Sequence, residues 1–132
     1  MQEGPLIAVV DDDISIRNAT QHLLRSAGYA TAAFSNAASF LDSTVRPRVA
    51  CLVTDLRMPG LTGAQLYEHL AASGGGIPTI LITAHPGELD RERLVKAGLT
   101  CFLIKPFAPD ELLECVRKGL ERARARQTIP RS

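Results

Sequence analysis

The run Leu6-Ile-Ala-Val-Val10 ends on Asp11-Asp12-Asp13 and passes at once into a helical pattern. Five apolar residues without polar alternation describe a strand covered on both faces, as in a parallel sheet. Ile16, Ala19, Leu23, Leu24 and Ala27 then recur at helical spacing, and Gly28 is placed to end that helix. The same unit repeats along the chain. Tyr29 to Phe34 is a weaker, Ala-rich strand suited to an edge. A short helix follows from Asn36 to about Ser43, burying Ala37, Phe40 and Leu41.

Outward from there the pattern sharpens. Ala50-Cys-Leu-Val-Thr54 is a strand closing on Asp55, and a helix opening at Thr62 or Gly63 buries Leu66, Leu70 and Tyr67. Gly74-Gly-Gly76 breaks it, and Pro78 to Thr83 is the next strand. Glu88 to Ala97 reads as a highly charged helix with a thin apolar face at Leu94 and Ala97, closed by Gly98. Cys101-Phe-Leu-Ile104 is the fifth strand. Pro109 in a first turn and Asp110-Glu111 against the helix dipole open the last helix. Leu112, Leu113, Val116 and Leu120 form its apolar stripe, and Arg117, Lys118, Arg122, Arg124 and Arg126 crowd its second half. Five strands alternating with five helices imply a doubly wound α/β fold with helices on both faces.

The chain has 132 residues, enough for one domain, with 45% hydrophobic and 22% charged residues and a net charge of +1. That balance gives no electrostatic reason to expect nucleic acid or membrane as the main partner. Cys51, Cys101 and Cys115 sit in apolar runs and read as reduced thiols. No apolar stretch approaches the roughly 20 residues that span a bilayer. A soluble, cytoplasmic protein is expected.

In open parallel sheets, ligands bind beyond the carboxyl ends of the strands. Here those ends carry Asp11-Asp12-Asp13, Asp55, Thr83 and Lys105. Each element alone has a plainer reading: aspartates cap helices and make turns, Lys105 precedes Pro106, and Thr83 could be a core hydroxyl. Their joint placement at four strand ends is what carries the inference. Clustered carboxylates oppose one another's ionisation. Lys105 offsets one of Asp11, Asp12 and Asp55, and a divalent cation would neutralise the rest. Hard oxygen donors with no His or thiolate favour Mg²⁺, with Mn²⁺ possible. Such a pocket, with a lysine, a threonine and a carboxylate nucleophile, suits phosphoryl transfer.

The segments VVDDD (Val9 to Asp13), TDLRMPGLTG (Thr54 to Gly63), TAH (Thr83 to His85) and AGLTCFLIKPF (Ala97 to Phe107) make the chain resemble the receiver domains of two-component response regulators. The resemblance covers essentially residues 5 to 124 and implies a flavodoxin-like five-stranded sheet of order 2-1-3-4-5. It makes Asp55 the phosphoacceptor, Asp12 a direct Mg²⁺ ligand, Asp11 its partner largely through water, and the Arg57 backbone carbonyl a further ligand. Lys105 would pair with the phosphoryl group, the Lys105-Pro106 bond would be cis, and Thr83 with Phe102 would form the switch. Phe102 stands where the family often has Tyr. Arg57 and His85, each two residues past a site residue, would tune dephosphorylation. Both positions, with Met58, look closest to FixJ/NarL-type transcriptional regulators.

The resemblance also implies partners: a cognate histidine kinase, and a second copy across the face of the fourth helix, fifth strand and fifth helix. Leu94, Ala97, Cys115 and Leu120 are candidates for that face or for the core. DNA would be reached only through a separate output domain, so residues 1–126 read as the receiver and 127–132 as a linker stub or tail. The receiver is a phosphoacceptor with self-catalysed transfer and autodephosphorylation, not an enzyme in the usual sense. A haloacid-dehalogenase-type phosphatase is the enzymatic alternative, since Asp11-Asp12-Asp13-Ile14-Ser15 loosely fits its D-x-D-x-[S/T] motif. That reading leaves Asp55 without a role, and no second acidic pair follows a later strand.

Overall fold

The computed structural model describes residues 4–72, 77–85, 87, 91–96 and 98–128. Strands and helices alternate: β1 (Leu6–Val10), α1 (Ile14–Ser26), β2 (Ala30–Phe34), α2 (Ala37–Leu41), β3 (Val49–Asp55), α3 (Gly63–Ala72), β4 (Thr79–Thr83), α4 (Arg91–Lys96), β5 (Cys101–Ile104) and α5 (Pro109–Thr128). The strands form one parallel sheet in the order β2-β1-β3-β4-β5. This is the doubly wound, flavodoxin-like arrangement expected from the sequence.

Alternation along the strands divides the interior in two. Ile7, Val9, Cys51, Val53, Ile80, Ile82 and Leu103 meet Leu24 of α1 and Leu112, Cys115 and Val116 of α5 on one face. On the other, Ala8, Val10 and Leu52 pack with Ala37, Phe40, Leu66 and Leu70 of α2 and α3. A third, smaller cluster of Tyr67, Leu81, Leu94 and Leu99 joins α3 and α4 to β4, with Phe102 packed against it. Leu94 and Cys115, candidates for a partner face, are core residues, and the half-buried Leu120 packs on the first cluster. Ala97 lies outside the described residues.

Local differences from expectation have local causes. α2 stops at Leu41, where the Ser43 N–H turns back to Phe40 O at 3.1 Å and tightens the last turn. A 3-10 turn at Arg46–Arg48, opened by Pro47, precedes β3. α5 runs from Pro109 to Thr128. The expected start of α4 at Glu88 and the break at Gly74 to Gly76 lie outside the described residues. Gly28, with φ of 97°, terminates α1 in the left-handed region that glycine enters without strain. No helix among the described residues is long and apolar enough to cross a membrane.

Candidate functional site

The end of β1 is tied down on three sides. The Asp11 N–H donates to Phe34 O at 3.1 Å, extending the pairing with β2 by one residue. Asp11 Oδ1 accepts from the Asp13 N–H at 2.9 Å, and Arg17 Nη1 donates to the Asp11 carbonyl at 2.8 Å. Asp13 caps α1 instead of facing the pocket: its Oδ1 accepts from the N–H groups of Ser15 and Ile16 at 2.8 and 3.2 Å. Asp11 and Asp55 are buried and Asp12 is exposed. Single ligand oxygens of Asp11, Asp12 and Asp55 lie within 4.8 Å of one another.

Lys105 approaches from the far side. Its N–H donates to Thr83 O at 2.8 Å, prolonging the β4-β5 ladder, and its Nζ stands 3.0 Å from Asp55 Oδ1. The Lys105-Pro106 peptide is cis. The Asp11 carboxyl is held above its ordinary value chiefly by burial, with the Asp13 N–H opposing. Among the charges, Asp55 and Asp12 push it up and Lys105 pulls it down. Three converging carboxylates against one ammonium favour a divalent cation, and their oxygens are the donors that Mg²⁺ takes.

Beside Asp55 is a cleft of about 130 Å³ lined by Arg57, Thr83, Ala84, His85 and Lys105. Drug-sized ligands occupy roughly 300–1,000 Å³, so this space suits a small group. Thr83 Oγ1 accepts from the His85 N–H at 2.8 Å, which leaves the hydroxyl hydrogen to donate into the cleft. Phe102 is half-buried against the third cluster. The folded chain therefore gathers Asp11, Asp12, Asp55, Thr83 and Lys105 at one rim, with Arg57 and His85 at the cleft; Phe102 packs on the third cluster and does not line the cleft.

Three supporting residues escaped the sequence reading. Thr54 Oγ1 donates to the Asp55 carbonyl at 3.1 Å. Gly63 packs on that same carbonyl: a Cβ there would lie 2.4 Å from Asp55 O. Arg17 left one trace in the sequence, as a cation one turn into a helix whose positive dipole end disfavours it. The start of α3 was more legible, because Thr62 and Gln65 form a capping box with reciprocal bonds of 2.9 and 3.1 Å.

Residues 7–117 match the response regulator receiver domain. The chain belongs to that family. Among curated receiver-containing relatives, the transcriptional regulatory protein FixJ of Azorhizobium caulinodans is 37% identical over 123 residues, covering 93% of this chain and 58% of that protein. This receiver thus spans somewhat more than half the length of the curated relatives it matches. The solved structure of the response regulator StyR superposes with a TM-score of 0.84 at 45% identity, over 95% of this chain and 65% of that one. The receiver domain of sensor histidine kinase PA1611 from Pseudomonas aeruginosa PAO1, solved with magnesium coordinated in its active-site cleft, gives a TM-score of 0.77 at 28% identity. That match covers 89% of this chain and 98% of that one. The receiver is a two-component signalling domain of the FixJ type.

Proposed function

We propose that this receiver is a phosphorylation-activated switch in which Asp55 accepts a phosphoryl group from a histidine kinase. The observation carrying this reading is the 3.0 Å approach of Lys105 Nζ to Asp55 Oδ1, with the Asp11 and Asp12 carboxylates beside it. An Asp55 oxygen attacks phosphorus as the bond to the donor's imidazole nitrogen breaks, and the electron pair stays on that nitrogen. Lys105 balances charge on the transferring group. Asp11, Asp12, Asp55 and the Arg57 carbonyl would hold Mg²⁺, as the magnesium-bound PA1611 receiver supports. When bound, the ion neutralises phosphoryl charge.

The Thr83 hydroxyl bonds a phosphoryl oxygen in the activated state, and Phe102 moves into the space released. Such a bond to a charged group contributes about 1.5–3 kcal/mol. Shifting a population from 1:99 to 99:1 takes about 5.5 kcal/mol. Thr83 therefore acts with Lys105, backbone amides or dimerisation across α4, β5 and α5. Ile104 on β5 is an apolar residue that is 43% exposed. FixJ, a transcriptional regulator, supports a DNA-binding output reached through a separate domain. Three free cysteines fit a reducing cytoplasm.

Incubation with acetyl phosphate and Mg²⁺ labels Asp55, and Asp55→Asn abolishes the label. Retained labelling in Asp55→Asn with loss in Asp11→Asn would instead establish the phosphatase alternative. Beryllofluoride with Mg²⁺ shifts the size distribution toward a dimer, and Asp55→Asn blocks the shift.

A further inference from the structure

The Asp12 side chain raises a positioning problem. Asp12 is exposed, and among the described residues no hydrogen bond or ion pair holds its carboxylate. Its carboxylate nonetheless lies within 4.8 Å of those of Asp11 and Asp55. Whatever aims it must act through the backbone.

The peptide joining Asp11 to Asp12 is a rigid plane containing the Asp11 carbonyl and both Cα atoms. Holding that carbonyl fixes the orientation from which the Asp12 side chain departs. β1 has ended at Val10, and Arg17 reaches back from α1 to place Nη1 2.8 Å from the Asp11 carbonyl oxygen. Its helix is set in turn by Asp13, which caps the N-terminus and whose carbonyl accepts from the Arg17 N–H at 2.9 Å. The chain from Asp11 to Arg17 thus closes on itself at the Asp11 carbonyl, which belongs to the Asp11-Asp12 peptide.

We infer that Arg17 is a positioning residue for the cation site, clamping the Asp11-Asp12 peptide so that the Asp12 carboxylate is aimed at a divalent ion. This rests on the proposed Mg²⁺ site and adds to it a residue that touches neither the ion nor the phosphoryl group. The clamp and a plain charge effect differ in sign. A nearby guanidinium repels Mg²⁺, so removing it as a charge tightens binding. Removing it as a clamp loosens binding.

The test is calorimetric titration of the whole chain with Mg²⁺, comparing wild type, Arg17→Met, Arg17→Lys and Asp12→Asn, with unfolding midpoints taken in metal-free buffer. Supporting partners of metal ligands typically contribute 10–100-fold in affinity. Arg17→Met is expected to weaken Mg²⁺ about tenfold. Arg17→Lys, which keeps a donor on a long stem, stays closer to wild type than to Arg17→Met. The initial rate of Asp55 labelling at saturating Mg²⁺ is unchanged in Arg17→Met, while the Mg²⁺ concentration for half-maximal rate rises. Unchanged or tighter binding in Arg17→Met overturns the clamp, as does a lysine variant equally weak. Loss of fold in Arg17→Met also contradicts a role confined to this peptide. Absence of Mg²⁺ binding by wild type removes the functional reading itself. Binding that survives in Asp12→Asn at wild-type strength removes the role of Asp12.

Discussion

Gly63 lies directly on the backbone of Asp55: a Cβ added to it would sit 2.4 Å from the Asp55 carbonyl oxygen and 3.0 Å from Leu81 Cδ2. The first turn of α3 thus rests on the proposed phosphoacceptor. Gly63→Ala must displace either the helix or Asp55, because a backbone carbonyl cannot rotate away as a side chain can. Overpacking of this kind costs about 1–3 kcal/mol. Thermal unfolding should register that loss, and phosphoryl labelling of Asp55 should slow. A variant with wild-type stability and rate would show that α3 has slack that the close approach denies.

The Asp11 carboxyl has its folded value raised above the ordinary 3.8, with burial as the largest cause. The folded protein therefore favours the protonated form more than the unfolded chain does. Stability contributed by this group is lost as pH rises from the ordinary value through the raised one. In metal-free buffer at neutral pH, Asp11→Asn should melt higher than wild type, and the gap should close near pH 4. Mg²⁺ at a hundred times its Kd adds about 2.7 kcal/mol to wild type and much less to the variant. Equal melting of the two metal-free proteins at pH 7 would contradict the burial argument.

Arg93 Nε and Glu68 Oε2 form an ion pair of 2.6 Å between α4 and α3, with the Arg93 side chain 67% exposed. Solvent screening limits such pairs to about 0–1 kcal/mol. Glu68→Ala should change the unfolding free energy by less than about 1 kcal/mol, whereas Leu94→Ala, in the buried cluster beneath, should cost about 2–5 kcal/mol. Denaturant titration separates the two. A larger effect at Glu68 would mean that α4 is held by charge.

Burial pushes the Cys51 and Cys115 thiols up to about 12. The thiolate is the reacting species, so iodoacetamide at pH 8 should leave both intact in the folded protein. Unfolding in guanidinium should expose all three cysteines. Mass spectrometry counts the adducts, and rapid native modification of Cys51 would contradict the packing of the first core cluster.

Much of this was legible in the sequence. Leu6 to Val10 and Ile80 to Ile82 are continuous apolar runs because the sheet is covered on both faces, and that signal is local. Asp55, Thr83 and Lys105 were recognisable because strand ends converge in any parallel sheet. The roles of Arg17 and Gly63 were hidden, since each depends on a backbone carbonyl whose position exists only once the chain has folded. The ambiguity at Leu94 and Cys115 had the same origin. An apolar side chain on a thin stripe looks alike whether it meets a partner or the sheet; the third cluster decides for the core at Leu94 and the first at Cys115.

That third cluster has a consequence for how freely the outer surface of α4 can vary. The two large clusters support the sheet and the aspartates, while Leu94 is the buried member among the described side chains of α4; Glu92, Arg93 and Lys96 face solvent. Replacing those outer residues rewrites what α4 displays and leaves the interior holding Asp55 untouched. The interior beneath Asp55 and the outer surface of α4 are set by different residues, so either can change in sequence while the other is kept.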